Sequence, residues 1–303
     1  MRKKDKTVSL EEFVETVRES LQKKMGWKYK VEARTVTKNN GVIRHGLEIA
    51  KEGVTITPCF YLDGYYDSHK SGEKISDVTE DIMKFYKERK DEINQDLSNF
   101  SDYTSICGMV KGKLVNTDKN ADMLSKIPHR EYLDLSLVYY IELPLPDGIG
   151  SIQIPNEYLK MWGITEETLF EQLEQNMEAA EKPVIKDIVD VISTLKGEFL
   201  PPMPDLECQM YVLSNQAQIN GAVEMLRKAT LKQAADIINH DYIIIPSSIH
   251  EVLLIPDNGQ TDLVQSIAKM VEEVNRTRVA EEDVLSYHVY RYDRNTGNVE
   301  IAA

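Results

Sequence analysis

One stretch constrains this chain more than any other: Asp241–Asp257, which reads DYIIIPSSIHEVLLIPD. Two apolar runs, Tyr242–Ile245 and Val252–Ile255, flank the polar linker Pro246-Ser247-Ser248-Ile249-His250-Glu251, and Pro256-Asp257 closes the second. Short runs rich in Ile, Val and Tyr between Pro, Ser and Asp are the sequence form of buried strands. The pattern predicts a hairpin-like pair at the heart of a C-terminal domain, with a Ser/His/Glu cluster at its bend. Such a cluster is either a site or a set of groups that satisfy the backbone where the chain turns.

The chain has 303 residues, more than the ~100–150 of a typical domain. Two domains are therefore expected: an N-terminal α+β domain over residues 1–128 and a C-terminal α+β domain over residues 129–303. Hydrophobic residues make up 42% and charged ones 28%, which is globular usage and argues against wholesale disorder. The net charge of −14 argues against general nucleic-acid or anionic-membrane binding, because like charge repels phosphate at long range. A protein partner chosen by charge would be basic. Residues 1–40 alone run the other way, with 11 Lys/Arg against 6 Asp/Glu, and the opening MRKKDK reads as a solvated tail. Cys59, Cys107 and Cys208 lie far apart without C-x-x-C, which fits a reducing compartment rather than a disulfide framework. No apolar run approaches the ~20 residues that span a bilayer, and the start lacks the apolar region of a signal peptide. A cytoplasmic location is the expectation.

Ser9-Leu10-Glu11-Glu12 is a capping-box pattern ahead of Phe13, Val14, Val17, Leu21 and Met25 at helical spacing, and Gly26 ends that helix. Strand-like runs follow at Tyr29–Thr37, Val42–Ala50 and Val54–Phe60, separated by the turn formers Asn39-Asn40-Gly41 and Lys51-Glu52-Gly53. An aromatic corner, Phe60–Tyr66, leads into a helix from Ser76 to Asp91. Strands are expected at Met109–Val115, Tyr132–Leu143 and Ile149–Ile154, and a short helix from Asp118 to Leu124. The segment from Ile154 to Glu167 has helix–turn–helix punctuation at Gly163 and Thr165, but Glu166, Glu167, Glu171 and Glu174 on its second helix would repel phosphates. Lys182–Lys196 reads as an amphipathic helix and Phe199–Asp205 as a linker. From there a strand at Cys208–Leu213, a helix at Gly221–Ile238, the opening hairpin, a helix at Asp262–Asn275 and a terminal pair, Tyr287–Tyr292 with Val299–Ala302, give the order β-α-ββ-α-ββ. The fold class is α+β, with mixed or antiparallel sheets and helices packed on one face.

WGITEETLFEQLEQN (Trp162–Asn176), the opening hairpin, DVLSYHVYRYDR (Asp283–Arg294) and IAKEGVTITPCFYLDGYY (Ile49–Tyr66) together resemble an uncharacterised domain family of gut Firmicutes. The resemblance covers nearly the whole chain. From about Leu133 onward the sequence is also similar, more distantly, to a second bacterial family of unknown function, with a comparable strand, Trp-Gly-led helix, hairpin and C-terminal strand in the same order. Neither resemblance implies a reaction.

Three readings of function follow. The first is a non-catalytic protein that binds another macromolecule, motivated by the lack of a Walker loop, a G-x-G-x-x-G, a local zinc spacing or a nucleophile motif; no cofactor or metal is expected. The second is a hydrolase-type enzyme that joins Ser247, Ser248, His250, Glu251 and His288, since a hydroxyl beside an imidazole oriented by a carboxylate is the arrangement of nucleophilic catalysis. If Ser286-Tyr287-His288 is a strand, Ser286 and His288 share a face. The third is a small-ligand module at the aromatic corner, using Tyr61, Tyr65 and Tyr66, with Tyr290 as a further candidate binding residue. The second reading requires His250 to meet His288; the third requires exposed rings around a cleft.

Overall fold

A computed structural model describes residues 8–51, 59–95, 100–145, 148–196 and 209–303. The MRKKDK tail, positions 54–58 of the expected third strand, the linker Phe199–Asp205 and Cys208 lie outside the described residues. Compactness divides the chain into two units, Met1–Ser105 with Pro144–Ile149, and Ile106–Leu143 with Gly150–Ala303.

In the first unit α1 (Leu10–Met25) starts where its capping chemistry places it. The Ser9 hydroxyl accepts the Glu12 N–H at 3.2 Å and the Glu12 carboxylate accepts the Ser9 N–H at 3.2 Å, so each of two otherwise orphaned backbone donors is satisfied by the other residue's side chain. Gly26, at φ 80°, ends the helix. β1 (Tyr29–Thr37) and β2 (Ile43–Lys51) pair antiparallel from Tyr29↔Lys51 to Thr37↔Ile43, and β3 (Cys59–Tyr61) joins the other edge of β2. α2 (Asp63–Lys70) and α3 (Ile75–Gln95) follow. Phe13, Val17 and Leu21 of α1 and Val78 and Ile82 of α3 pack with Val31, Leu47 and Ile49 of the sheet, the single covered face that the alternating pattern predicts.

After α4 (Tyr103–Ile106) come β4 (Val110–Asn116), α5 (Ala121–Leu124), β5 (His129–Tyr132), β6 (Leu135–Leu145) and β7 (Gly148–Gln153). β4 and β5 flank β6, and β7 also pairs with it. β4 bonds along its length to β6, from Val110↔Ile141 to Asn116↔Leu135. The strand expected at Tyr132–Leu143 is β6, which starts at Leu135 and runs to Leu145, while Tyr132 ends the separate strand β5. The chain reverses at Leu133-Asp134, with Leu133 at φ 57°, a costly conformation for Leu; Asp is a usual turn residue, and the Asp134 carbonyl accepts the Thr117 N–H at 3.0 Å. α6 (Asn156–Trp162) and α7 (Glu166–Ala179) are separated by Gly163 in the left-handed region, and the Thr165 hydroxyl caps α7 by accepting the Thr168 N–H. The acidic start of α7 is spent internally. Arg130 pairs with Glu166 at 2.8 Å and Glu167 at 2.6 Å and lies over the Phe170 ring. α7 lies close to β4 because Gly112 has no side chain: a Cβ there would stand 2.6 Å from Leu173 and 2.8 Å from Leu137.

The expected helix Lys182–Lys196 divides into β8 (Val184–Asp187) and α8 (Ile188–Lys196), since β8 finds an antiparallel partner in β9 (Tyr211–Ser214). Pairing with a strand distant in sequence overrides local periodicity there. Gly221–Ile238 likewise divides, into a buried 3₁₀ segment, Gly221–Leu226, and α9 (Lys228–Ile238), with Arg227 extended between them. β10 (Tyr242–Ile245), β11 (Val252–Pro256), α10 (Thr261–Thr277), β12 (Tyr290–Tyr292) and β13 (Val299–Ile301) complete the chain. They form an antiparallel sheet of order β13-β12-β10-β11-β9-β8, with the opening hairpin at its centre. Ile243, Ile245 and Ile255 pack against Val264, Ile267 and Val271 of α10. Tyr242 points the other way and donates its hydroxyl to the Leu231 carbonyl of α9 at 3.0 Å. Successive strand side chains alternate faces, so this sheet carries helix on both faces rather than one.

Ile244 is fully buried in the middle strand. Its replacement by Ala is expected to lower unfolding free energy by about 2–5 kcal/mol in urea denaturation. Ile301→Ala, at the exposed edge, is expected to change it by about 0.5 kcal/mol or less.

Candidate functional site

The bend of the central hairpin turns its polar groups inward. The Ser247 and Ser248 hydroxyls both donate to Glu251 Oε1 at 3.0 Å, and the Ser248 oxygen accepts the His250 N–H at 3.0 Å. The His250 carbonyl accepts from the Ser214 hydroxyl at 2.7 Å, and His250 Nδ1 accepts from the Asn220 backbone N–H at 3.1 Å. A ring nitrogen that accepts carries no proton, so the neutral imidazole holds its proton on Nε2, which lies 3.4 Å from Asp283. The acceptor nitrogen of His250 is thereby occupied. Neither serine is bonded to it through its ring, and the bend works as a joint: Ala222 N–H donates to the Ile249 carbonyl at 3.2 Å, and the 3₁₀ segment docks there. Gly221 makes this approach possible. A Cβ at that position would stand 2.1 Å from the Ser214 oxygen and 2.6 Å from the His250 carbonyl oxygen.

His288 stands in a different constellation. Residues 286–288 precede β12 and are not strand, with a bend at Tyr287-His288, so the shared face expected for Ser286 and His288 is replaced by a bond from the His288 N–H to the Ser286 hydroxyl at 2.9 Å. The carboxylate of Asp134 accepts from the Ser286 hydroxyl at 2.6 Å, from the Tyr290 hydroxyl at 2.8 Å, and lies 3.1 Å from His288 Nδ1. Tyr290 is fully buried, and desolvation first, then the Asp134 charge, pushes its phenol well above the ordinary range, so it stays a donor. His250 and His288 therefore answer to separate carboxylates, Asp283 and Asp134.

The aromatic corner is built into packing. Phe60 meets Phe85 edge-on at 5.4 Å, Tyr66 tilts on Phe13 at 5.5 Å and donates its hydroxyl to the Val8 carbonyl, and Tyr65 packs on the core of the first unit. Tyr61 is the most exposed of the three candidate tyrosines there, with Lys38 4.2 Å from its ring centre.

A cleft of about 220 Å³ opens within the second unit. Gly112 of β4, Leu173 and Met177 of α7 and Val223 supply apolar wall, while Lys111, Tyr140, Glu142, Glu181 and Glu224 supply polar groups. Sequence reasoning missed Glu224, although a lone carboxylate within GAVEML was the available signal. Its side chain is 7% exposed and 3.2 Å from Arg227. Burial raises its pKa above the ordinary 4.5, and Arg227 only partly opposes that. Tyr140 is pushed up to about 12 by burial, and its oxygen accepts a side-chain N–H of Asn220 at 3.2 Å. Asn220 thus touches both the bend and the cleft. Among the described residues no three His, Cys, Asp or Glu side chains gather as a metal site.

The sequence profile of one family matches residues 10–294. The chain belongs to the DUF5688 family, a family of unknown function. Comparison of this DUF5688 protein with curated proteins and with solved structures finds no match in either.

The raised pKa of Glu224 has a signed consequence. The folded chain holds this proton more tightly than the unfolded chain, so the contribution is present below pH 4.5 and is lost as pH rises through the raised value. Glu224→Gln does not titrate. Its stability relative to the wild type is expected to improve from pH 4.5 to about pH 7 in paired urea titrations; a difference that stays flat with pH would contradict the assignment.

Proposed function

We propose that this DUF5688 protein acts by binding, and that the cleft of the second unit receives a cationic side chain presented by a basic protein partner. One observation carries the reading: the wall holds Glu142, Glu181 and Glu224 against Lys111, which itself lies 3.8 Å from Glu142. An ammonium or guanidinium paired with one such partly exposed carboxylate gains about 0.2–1 kcal/mol net. The volume, about 220 Å³, suits one protruding side chain and is smaller than the ~300–1,000 Å³ of drug-sized ligand sites. The apolar wall from Leu173 and Met177 suits the aliphatic stem of lysine or arginine. The net charge of −14 speeds encounter with a basic surface and opposes nucleic acid. The bend speaks for binding over nucleophilic catalysis, because its two hydroxyls donate to Glu251 and the acceptor nitrogen of His250, which a general base would need, is occupied by the Asn220 N–H.

Fluorescence anisotropy with a labelled Lys/Arg-rich peptide tests this reading, with an Asp/Glu-rich peptide as the counterpart. The basic peptide is expected to bind and to weaken about tenfold in the double variant Glu142→Gln/Glu181→Gln, a change of about 1.4 kcal/mol. The charge-matched control Glu15→Gln/Glu19→Gln on α1, whose side chains are exposed, is expected to leave binding unchanged. Equal weakening in both pairs would reduce the effect to net charge and overturn the site.

A further inference from the structure

We propose that His288 is a reactive histidine whose Nε2 accepts an acyl group from a neutral acyl donor, with Asp134 as its positioning residue. The inference is independent of the cleft. It rests on the order in which hydrogen bonds fix the ring. A carboxylate only accepts, so Asp134 at 3.1 Å from Nδ1 places the proton of the neutral imidazole there and leaves the lone pair on Nε2. Asp134 is itself held: its side chain is 17% exposed and it accepts from the Ser286 and Tyr290 hydroxyls. Ser286 also receives the His288 backbone N–H, which anchors the base of the side chain. The ring is 49% exposed, and Nε2 has no hydrogen-bond partner among the described residues. The contrast with His250 is internal to the chain, since there the proton sits on Nε2 and the acceptor nitrogen is taken by Asn220.

An imidazole whose far nitrogen donates to a carboxylate is a better nucleophile, because the positive charge that develops on attack is offset at once. The carboxylate and the net charge of −14 repel anionic phosphoryl donors, which selects a neutral carbonyl electrophile. In the step, the Nε2 lone pair bonds to the carbonyl carbon, and the bond from that carbon to its leaving oxygen breaks with its electron pair. The acylated ring keeps Nδ1–H against Asp134 until that proton passes to solvent. Water later cleaves the N–acyl bond and restores the histidine.

Diethyl pyrocarbonate, a neutral acyl donor, is the probe, and the exposed His240 is the reference within the same chain. Site-resolved mass spectrometry of the intact protein is expected to show His288 modified at least about threefold faster than His240, because the Asp134 carboxylate beside Nδ1 offsets the charge that develops on attack. Asp134→Asn is expected to bring His288 down to the His240 rate. Long-range ¹H–¹⁵N spectra of the wild type supply a readout that needs no variant: His288 should carry its proton on Nδ1 and His250 on Nε2. A His288 no faster than His240, or a His288 tautomer protonated on Nε2, overturns the proposal.

Discussion

The second unit depends on the pairing of β10 with β11 at the centre of a six-stranded sheet. Tyr242 through Ile245 face Pro256 back to Leu253 in antiparallel register, with β12 on the outer side of β10 and β9 on the outer side of β11. Their central backbone groups are satisfied from both edges, and their side chains meet helix on both faces. β10 is buried throughout and β11 for the most part, which is why their sequence is an almost unbroken run of Ile, Leu and Val. The polar bend between the strands is then held by its ends and has to satisfy itself.

It does so by facing inward, and this sets the geometry of everything beside it. Ser247, Ser248 and Glu251 close on one another, and the His250 backbone and ring receive Ser214 and Asn220. The 3₁₀ segment Gly221–Leu226 is drawn against that surface so closely that Gly221 admits no side chain. One consequence is that Glu224 is carried among apolar neighbours into the cleft wall, where desolvation alters its proton affinity. The same physics separates the two histidines. His250 is a structural tether because a backbone N–H occupies its acceptor nitrogen; His288 keeps a lone pair toward solvent because a carboxylate occupies its donor nitrogen. Residues of one type, both beside carboxylates, differ in chemistry through the partner of a single atom.

What the sequence determined by itself was local. The Ser9–Glu12 capping box, Gly26, Gly163, the Thr165 cap and the apolar runs of β10 and β11 carry their own short-range instructions, and the elements they announce are present as read. The α+β class and the β-α-ββ-α-ββ order after residue 207 follow from those signals. Only the tertiary structure decided the rest. Whether Val184–Asp187 is helix or strand depended on β9, a partner more than twenty residues away, and the carbonyl of Asp134 in the reversal beside Leu133 is met by the distant Thr117 N–H. The site was the least legible part, because its groups meet through contacts of very long sequence separation: Asp134 reaches Ser286, His288 and Tyr290, and Asn220 joins His250 to Tyr140. Periodicity can place a side chain on a face. Which atom of an imidazole is left with a lone pair is settled by what packs against it.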